Sequence, residues 1–258
     1  MELKWFGTAS IAITEKANSL LFDPFCSWHP KNTDSDLSKF TTYNTIFITH
    51  GHFDHLIDVP ALLTANKQAV VHCHEVPANT LVRKGVNKNQ IRVIKPGDSL
   101  DIGPFNIKVL KGRHIVFDRK LILKTLLNVR MLRYFNNLRK LVPASKEYRE
   151  GQTLVYEITV NEKKLLHLGS LSFDESETYP QGVEVMTIPF QGRSDLAEYV
   201  IPLINQIKPQ SLYLHHYDDS FPPISSAVHT QQFISKAAKL YPDINVILPV
   251  VGESRTVF

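Results

Sequence analysis

The spacing of apolar and polar positions divides the chain into an opening stretch of short strands and a later stretch where strands and helices take turns. Residues 4–6, 10–14 and 18–22 read as strands, the last ended by Pro24, and 45–49 is a β-branched and aromatic run of the kind buried in a sheet. A helix is predicted to start near Asp54, with Pro60 close to the start of a second one. Further strands are predicted at 69–73, 90–94 and 105–110, with a helix over 77–84 stopped by Gly85 and a turn at Pro96-Gly97-Asp98. Strands resume at 153–160 and 164–167 around the turn residues Asn161 and Glu162. The buried-strand runs 183–188, 211–215 and 245–248 then alternate with helices over 195–207 and 226–240. No repeat, linker or low-complexity stretch interrupts the series, so residues 1–258 are expected to form one domain of the α/β (α+β) class, sheets packed together with helices outside.

One segment, residues 117–143, departs from this pattern. Leu123, Leu126, Leu127, Met131, Tyr134, Phe135, Leu138, Leu141 and Val142 follow helical spacing and form one apolar face. Lys124 and Arg130 intrude at its edges, while Arg133, Arg139 and Lys140 lie elsewhere. The pattern predicts a basic amphipathic helix, or two joined near Asn136-Asn137.

Composition adds few constraints: 43% hydrophobic and 21% charged residues describe an ordinary globular chain. No apolar run has the length of a membrane span, and the opening MELKWFGTASIAI lacks the regions of a signal peptide, which leads to the expectation of a cytoplasmic protein. Cys26 and Cys73 are too few for a disulfide framework and form no Cys-x-x-Cys pair, which excludes a zinc ribbon. Charge is more informative. The net +4 conceals a balance of +10 over residues 106–149, with 12 Lys or Arg against 2 Asp or Glu, so the remainder of the chain is acidic.

The candidate chemistry lies in Thr49-His50-Gly51-His52-Phe53-Asp54-His55, directly after a predicted buried strand. Imidazole nitrogens and carboxylate oxygens suit zinc and other divalent transition ions. A loop leaving a strand end can turn His50 and His52 toward one point, and Asp54 and His55 at the start of the next helix toward a second, with Gly51 allowing a sharp turn between ligands.

This signature resembles that of the metallo-β-lactamase superfamily, and other segments extend the likeness over most of the chain. Residues Trp5-Phe6-Gly7-Thr8-Ala9-Ser10, Leu21-Phe22-Asp23-Pro24, the stretch from Lys95-Pro96-Gly97-Asp98 to His114, and His216-Tyr217 resemble the branch of ascorbate-6-phosphate lactonases and N-acyl-phosphatidylethanolamine phospholipases D. The resemblance implies a four-layer αβ/βα sandwich carrying the basic helical segment as an insertion. It implies that His50, His52 and His114 hold one ion, that Asp54, His55 and His216 hold a second, and that Asp23 orients the ligand loop. Zinc is the expected metal, one ion or two, with manganese as the alternative. Where the family commonly places a bridging carboxylate, this chain has Gly169-Ser170, which is expected to weaken the second position or leave a single ion; Asp174 and Glu175 follow closely enough to be considered as substitutes. His215 competes with His216, because neighbours in a strand face opposite sides. His72 and His74 share a strand face and, like His29, His167 and His229, read as structural.

Such a site supports hydrolysis of an anionic ester, phosphodiester or lactone by metal-activated water, with Asp54 and His55 as candidate catalytic residues. Arg193, in the stretch from Pro189 to Asp195 that opens a helix, and Arg130, in the basic segment, are candidates for binding the substrate anion. The basic segment itself admits three readings: a hairpin packed on its own domain or a second subunit, a membrane-surface contact, or a lid over the metal. The absence of interleaved exposed aromatics speaks against nucleic acid. Two further functions stand as alternatives, a membrane-surface phospholipid phosphodiesterase and a non-catalytic binding module with a degenerate metal site.

Overall fold

A computed structural model describes residues 1–31 and 36–258. The first sheet begins as an antiparallel meander of β1 (Glu2–Trp5), β2 (Ile11–Glu15) and β3 (Asn18–Phe22), then continues in parallel through β4 (Thr45–Phe47), β5 (Val70–Cys73) and β6 (Ile91–Val93). Its helices are α1 (Phe53–Leu56), α2 (Val59–Ala65) and α3 (Glu75–Arg83). The second sheet repeats the plan. Strand β7 (Ser99–Ile102) pairs with β8 (Phe105–Arg113), which is antiparallel to β9 (Leu154–Val160), itself antiparallel to β10 (Lys163–Leu168). The short β11 (Ser172–Phe173) closes the free edge of β8. Beyond β10 the order is parallel: β12 (Val185–Pro189), β13 (Ser211–His215) and β14 (Asn245–Ile247). Between β8 and β9 lie α4 (Arg119–Leu126), α5 (Arg130–Arg133) and α6 (Phe135–Glu147). Helices α7 (Leu196–Tyr199) and α8 (Ile201–Ile207) follow β12, and α9 (Gln231–Leu240) follows β13. The chain then crosses back so that β15 (Ser254–Thr256) pairs with β1 and becomes the edge of the first sheet.

The two-residue alternation of the strands sorts side chains into three apolar layers. In β3, Leu20 and Phe22 enter the layer between the sheets while Leu21 faces the helices; in β13, Tyr213 faces inward while Leu212 and Leu214 face outward. The inter-sheet layer contains Trp5, Phe22, Phe47, Tyr156 and Tyr213, with Phe22 stacked on Phe47 at 5.3 Å. One outer layer joins the first sheet to α1–α3 and α6, the other joins the second sheet to α7–α9. The expected four-layer αβ/βα sandwich is present.

Several boundaries differ from the sequence reading. Strands β7, β11 and β15 were not predicted, and the helix expected over 195–207 divides at Val200, ahead of Pro202. The helix expected from 226 starts at Gln231. In the basic segment the breaks fall at 127–129 and at Tyr134, because Asn128 Oδ1 accepts from Arg130 N at 2.9 Å and starts α5. Asn136 and Asn137 lie inside α6, where the Asn137 amide donates to Pro222 O at 2.8 Å instead of ending the helix.

Candidate metal centre

In an αβ sheet the loops at the carboxyl ends of parallel strands gather at one edge and face a crevice. Here that edge collects Asp23 after β3, the 49–55 loop after β4, His114 after β8, Ser170 after β10, Gln191 after β12 and His216 after β13. The ligand-capable atoms converge as two triads, His50 with His52 and His114, and Asp54 with His55 and His216, the atoms of each lying within 4.8 Å of one another. His215, the competing neighbour, turns away and stacks on His167 at 5.8 Å.

Thr49 sets the tautomers. Its hydroxyl donates to Asp23 Oδ2 at 2.7 Å, and its amide donates to Asp23 Oδ1 at 2.8 Å. With its single proton used, Thr49 Oγ1 can only accept from His50 Nδ1 at 3.0 Å, which leaves His50 Nε2 as the free ligand atom, 3.1 Å from His52 Nδ1. His55 Nδ1 faces Asp23 Oδ2 at 2.9 Å, which leaves its Nε2 toward Asp54. Asp23 thus orients two imidazoles at once, the usual outer support of a metal-binding histidine. Asp23 (φ 46°) and His216 (φ 58°) both occupy the left-handed region, an uncommon conformation for either residue and one that clusters at functional sites.

The triads differ in charge. Burial pushes the His50 imidazole well below its ordinary pKa, helped by His55, His52 and His114, and burial also lowers the pKa of His52 and of His114. All three are therefore neutral at neutral pH, the form that binds metal. At His55 burial also disfavours the charge, but the carboxylates of Asp23 and Asp54 overcome it and raise the pKa. Asp54 is buried too, yet His55 and the hydrogen bond from His216 hold its carboxyl below the usual range.

Gly51 serves a purpose other than a sharp turn. Its φ is not positive; a Cβ there would come within 2.1 Å of Arg149 O, and its amide donates to Glu150 O at 2.7 Å. It admits the chain returning from α6, which brings the Glu150 carboxylate to 4.0 Å from His52 Nε2.

The remaining candidates are placed less centrally. Ser170 is buried, and its hydroxyl accepts from Ile115 N at 3.0 Å, so it fixes the backbone next to His114. Asp174 does not join either triad: one oxygen pairs with Lys111 Nζ at 3.0 Å and the other accepts from Ser176 N at 3.0 Å. Glu175, with Arg113, His114 and Glu150, lines a cleft of about 440 Å³ beside the first triad. Arg193 is held by Asp195 through paired contacts of 2.6 and 2.7 Å and donates to Val116 O at 2.9 Å, which fastens the loop after His114. Arg130 is paired with Asp219. Three contributors carried no role in the sequence reading: Thr49, Glu150, and Gln191, whose amide nitrogen lies 3.3 Å from both His216 Nδ1 and Asp218 O. Thr49 abuts the histidine motif and Gln191 opens the loop containing Arg193, yet neither residue type signals metal by itself.

Comparison with known proteins adds the family. Residues 2–213 match the family described as "Beta-lactamase superfamily domain". The chain belongs to that superfamily. Among curated proteins, a UPF0173 metal-dependent hydrolase of Salinibacter ruber is 30% identical over 44% of this chain and 49% of its own length. A relative of the same name from Methanobrevibacter smithii is 23% identical over 98% of this chain and 95% of its own. The chain thus spans about half the length of the first of these curated relatives. Two solved structures share the fold. Igni18, a metallo hydrolase from Ignicoccus hospitalis, has a TM-score of 0.65 at 17% identity, covering 98% of this chain and 97% of its own. The metallo-beta-lactamase fold protein YhfI from Bacillus subtilis has a TM-score of 0.66 at 14% identity, covering 98% of both chains.

Proposed function

We propose that this chain is a metal-dependent hydrolase that attacks a small anionic ester, phosphodiester or lactone with water. The observation carrying this reading is the convergence of six ligand-capable side chains into two adjacent triads with tautomers set from behind by Thr49 and Asp23. The donor set fits zinc, and it fits manganese at the oxygen-bearing triad. His50, His52 and His114 offer three neutral imidazoles, and Asp54, His55 and His216 offer one carboxylate and two more. A divalent ion supplies water acidified to near neutral pH and a Lewis acid for the attacked oxygen.

The protein's own groups do the rest. Asp54, ionised at neutral pH, accepts a hydrogen bond from the attacking water and orients it. Asp23 fixes His55, and the neutral imidazoles of the first triad meet edge to face with their nitrogens converging. An anionic substrate is supported by the positive excess over residues 106–149; the cleft beside His114 itself is mixed, lined by Arg113 and by Glu150, Asp174 and Glu175. Arg130 and Arg193 act here as anchors of the segments flanking the site, since Asp219 and Asp195 already engage them.

The side chains favour one tight ion position, at the first triad, and a weaker one at the second, because among the described residues no further carboxylate joins the two triads and Ser170 is directed to Ile115. Elemental analysis of the purified protein is the direct test. One ion per chain, with a second recruited by Ser170→Asp, is the expected result. No ion after incubation with zinc or manganese would sink the hydrolase reading in favour of a binding module.

A further inference from the structure

The segment between His114 and Glu150 leaves from one ligand of the first triad and returns beside another. At its start the Phe117 ring lies 5.8 Å from the His114 ring, and Asp118 caps α4 while accepting from Ser194 N. Midway, Arg130 pairs with Asp219, and Asn137 donates to Pro222 O. At its end, Leu141, Ala144 and Tyr148 enter the outer apolar layer on the first sheet. The segment is therefore a strap across the ligand edge, fixed at both ends and at its centre.

Its outward side is unusual. Among the described residues, ten of the seventeen large exposed hydrophobics fall between residues 116 and 142. Leu132 is 80% exposed, Leu127 78% and Val129 75%, and α4 buries none of its residues. Isolated exposed leucines are ordinary; a contiguous set on one short segment marks a contact surface. Leu123, Leu126 and Leu127 share one helical stripe, with Lys120 and Lys124 beside it. Among the described residues, Arg119, Lys120, Lys124, Arg133, Arg139 and Lys140 form no ion pair within the chain.

We propose that this face docks on the surface of an anionic phospholipid bilayer, its leucines among the acyl chains and its lysines and arginines against the headgroup phosphates. Charge selects this occupant over a second copy of the chain, because a symmetric interface would bring two identical basic rims together. Apolar side chains rimmed by cations are the pattern of an in-plane interfacial helix. No helix among the described residues is long and apolar enough to cross a membrane, so the contact is with one surface. Phe117, half-exposed on this face and adjacent to His114, makes the docking surface continuous with the ligand edge.

The docking face does not depend on hydrolysis, and the test keeps the two apart. The full chain is floated with phosphatidylcholine vesicles and with phosphatidylcholine vesicles containing phosphatidylserine. Binding to the second only, weakened by salt, is expected. Leu127→Asp and Leu132→Asp should each lower it about tenfold, and Lys120→Glu with Lys124→Glu by about fivefold per charge removed. His52→Ala should bind vesicles like the parent chain even if its metal is lost. Equal recovery of parent and leucine variants, or no binding to either vesicle, would overturn the proposal. So would a dimer in sedimentation that Leu132→Asp dissociates, since the face would then be an interface between copies.

Discussion

At the scale of single residues, Asp23 has the widest influence for its size. It accepts from the Thr49 amide and hydroxyl and faces His55, so its charge sets two imidazole orientations. Asp23→Asn should lower metal affinity or turnover about 10- to 100-fold with the fold retained, measurable by calorimetric zinc titration alongside circular dichroism. His167 is a second case. Buried between Phe22, Tyr156 and His215, with Nδ1 on Thr187 Oγ1 at 2.8 Å, it is pushed by burial from 6.5 down to about 4. The unfolded chain therefore binds the extra proton. His167 contributes its full stability above about pH 6.5 and loses it as the pH falls toward about 4, a span worth about 3 kcal/mol. Urea unfolding above and below the ordinary imidazole range should show a shallower acid loss in His167→Gln; an unchanged slope would count against this origin. The candidate ligands that converge here were legible in the sequence, since His50, His52, Asp54 and His55 sit within six residues. Their supports were less so: Thr49, Glu150 and Gln191 are common residue types, and only the fold brings them to the site.

At the scale of elements, buried apolar runs were legible and short exposed ones were not. Strand β13 carries its pattern in full, whereas β15 is exposed at every residue and β11 has two residues; both exist because an edge strand offers free backbone groups. The strap was legible as basic and amphipathic, but its breaks were not, because an asparagine ends a helix or bonds across it according to what lies opposite. Asn128 starts α5, and Asn137 instead reaches Pro222. Leu141→Ala removes a side chain from the outer layer and should cost about 2–5 kcal/mol in urea unfolding. Asp219→Ala, by contrast, removes the partner of Arg130 together with the acceptor of Ser225 Oγ at 2.8 Å and the neighbour of His29 Nε2 at 3.7 Å. It should quicken amide exchange across α4 and α5 while metal content stays at the parent value; a loss of metal would show that the strap positions ligands directly.

At the scale of the whole molecule, the two triads draw on both sheets. His50, His52, Asp54 and His55 follow a strand of the first sheet, and His114 and His216 follow strands of the second. A ligand that binds only the folded state stabilises it by mass action. Saturating zinc, about a thousandfold above its dissociation constant, should therefore raise the melting temperature by roughly 10 °C over a chelator-treated sample. Coincident transitions in both samples would argue against an ion joining the sheets.

The triads are also spread unequally in chain order. The side chains of the first all lie at or before His114, whereas the second waits for His216. On a ribosome the three histidines are all present while more than a hundred residues are still to be made, but Glu150, strand β9 and Ser170, which hold His52 and His114 in place, come after them. Loading of either triad is thus tied to the closing of the second sheet, so a growing chain carries its imidazoles long before it can present them together to an ion.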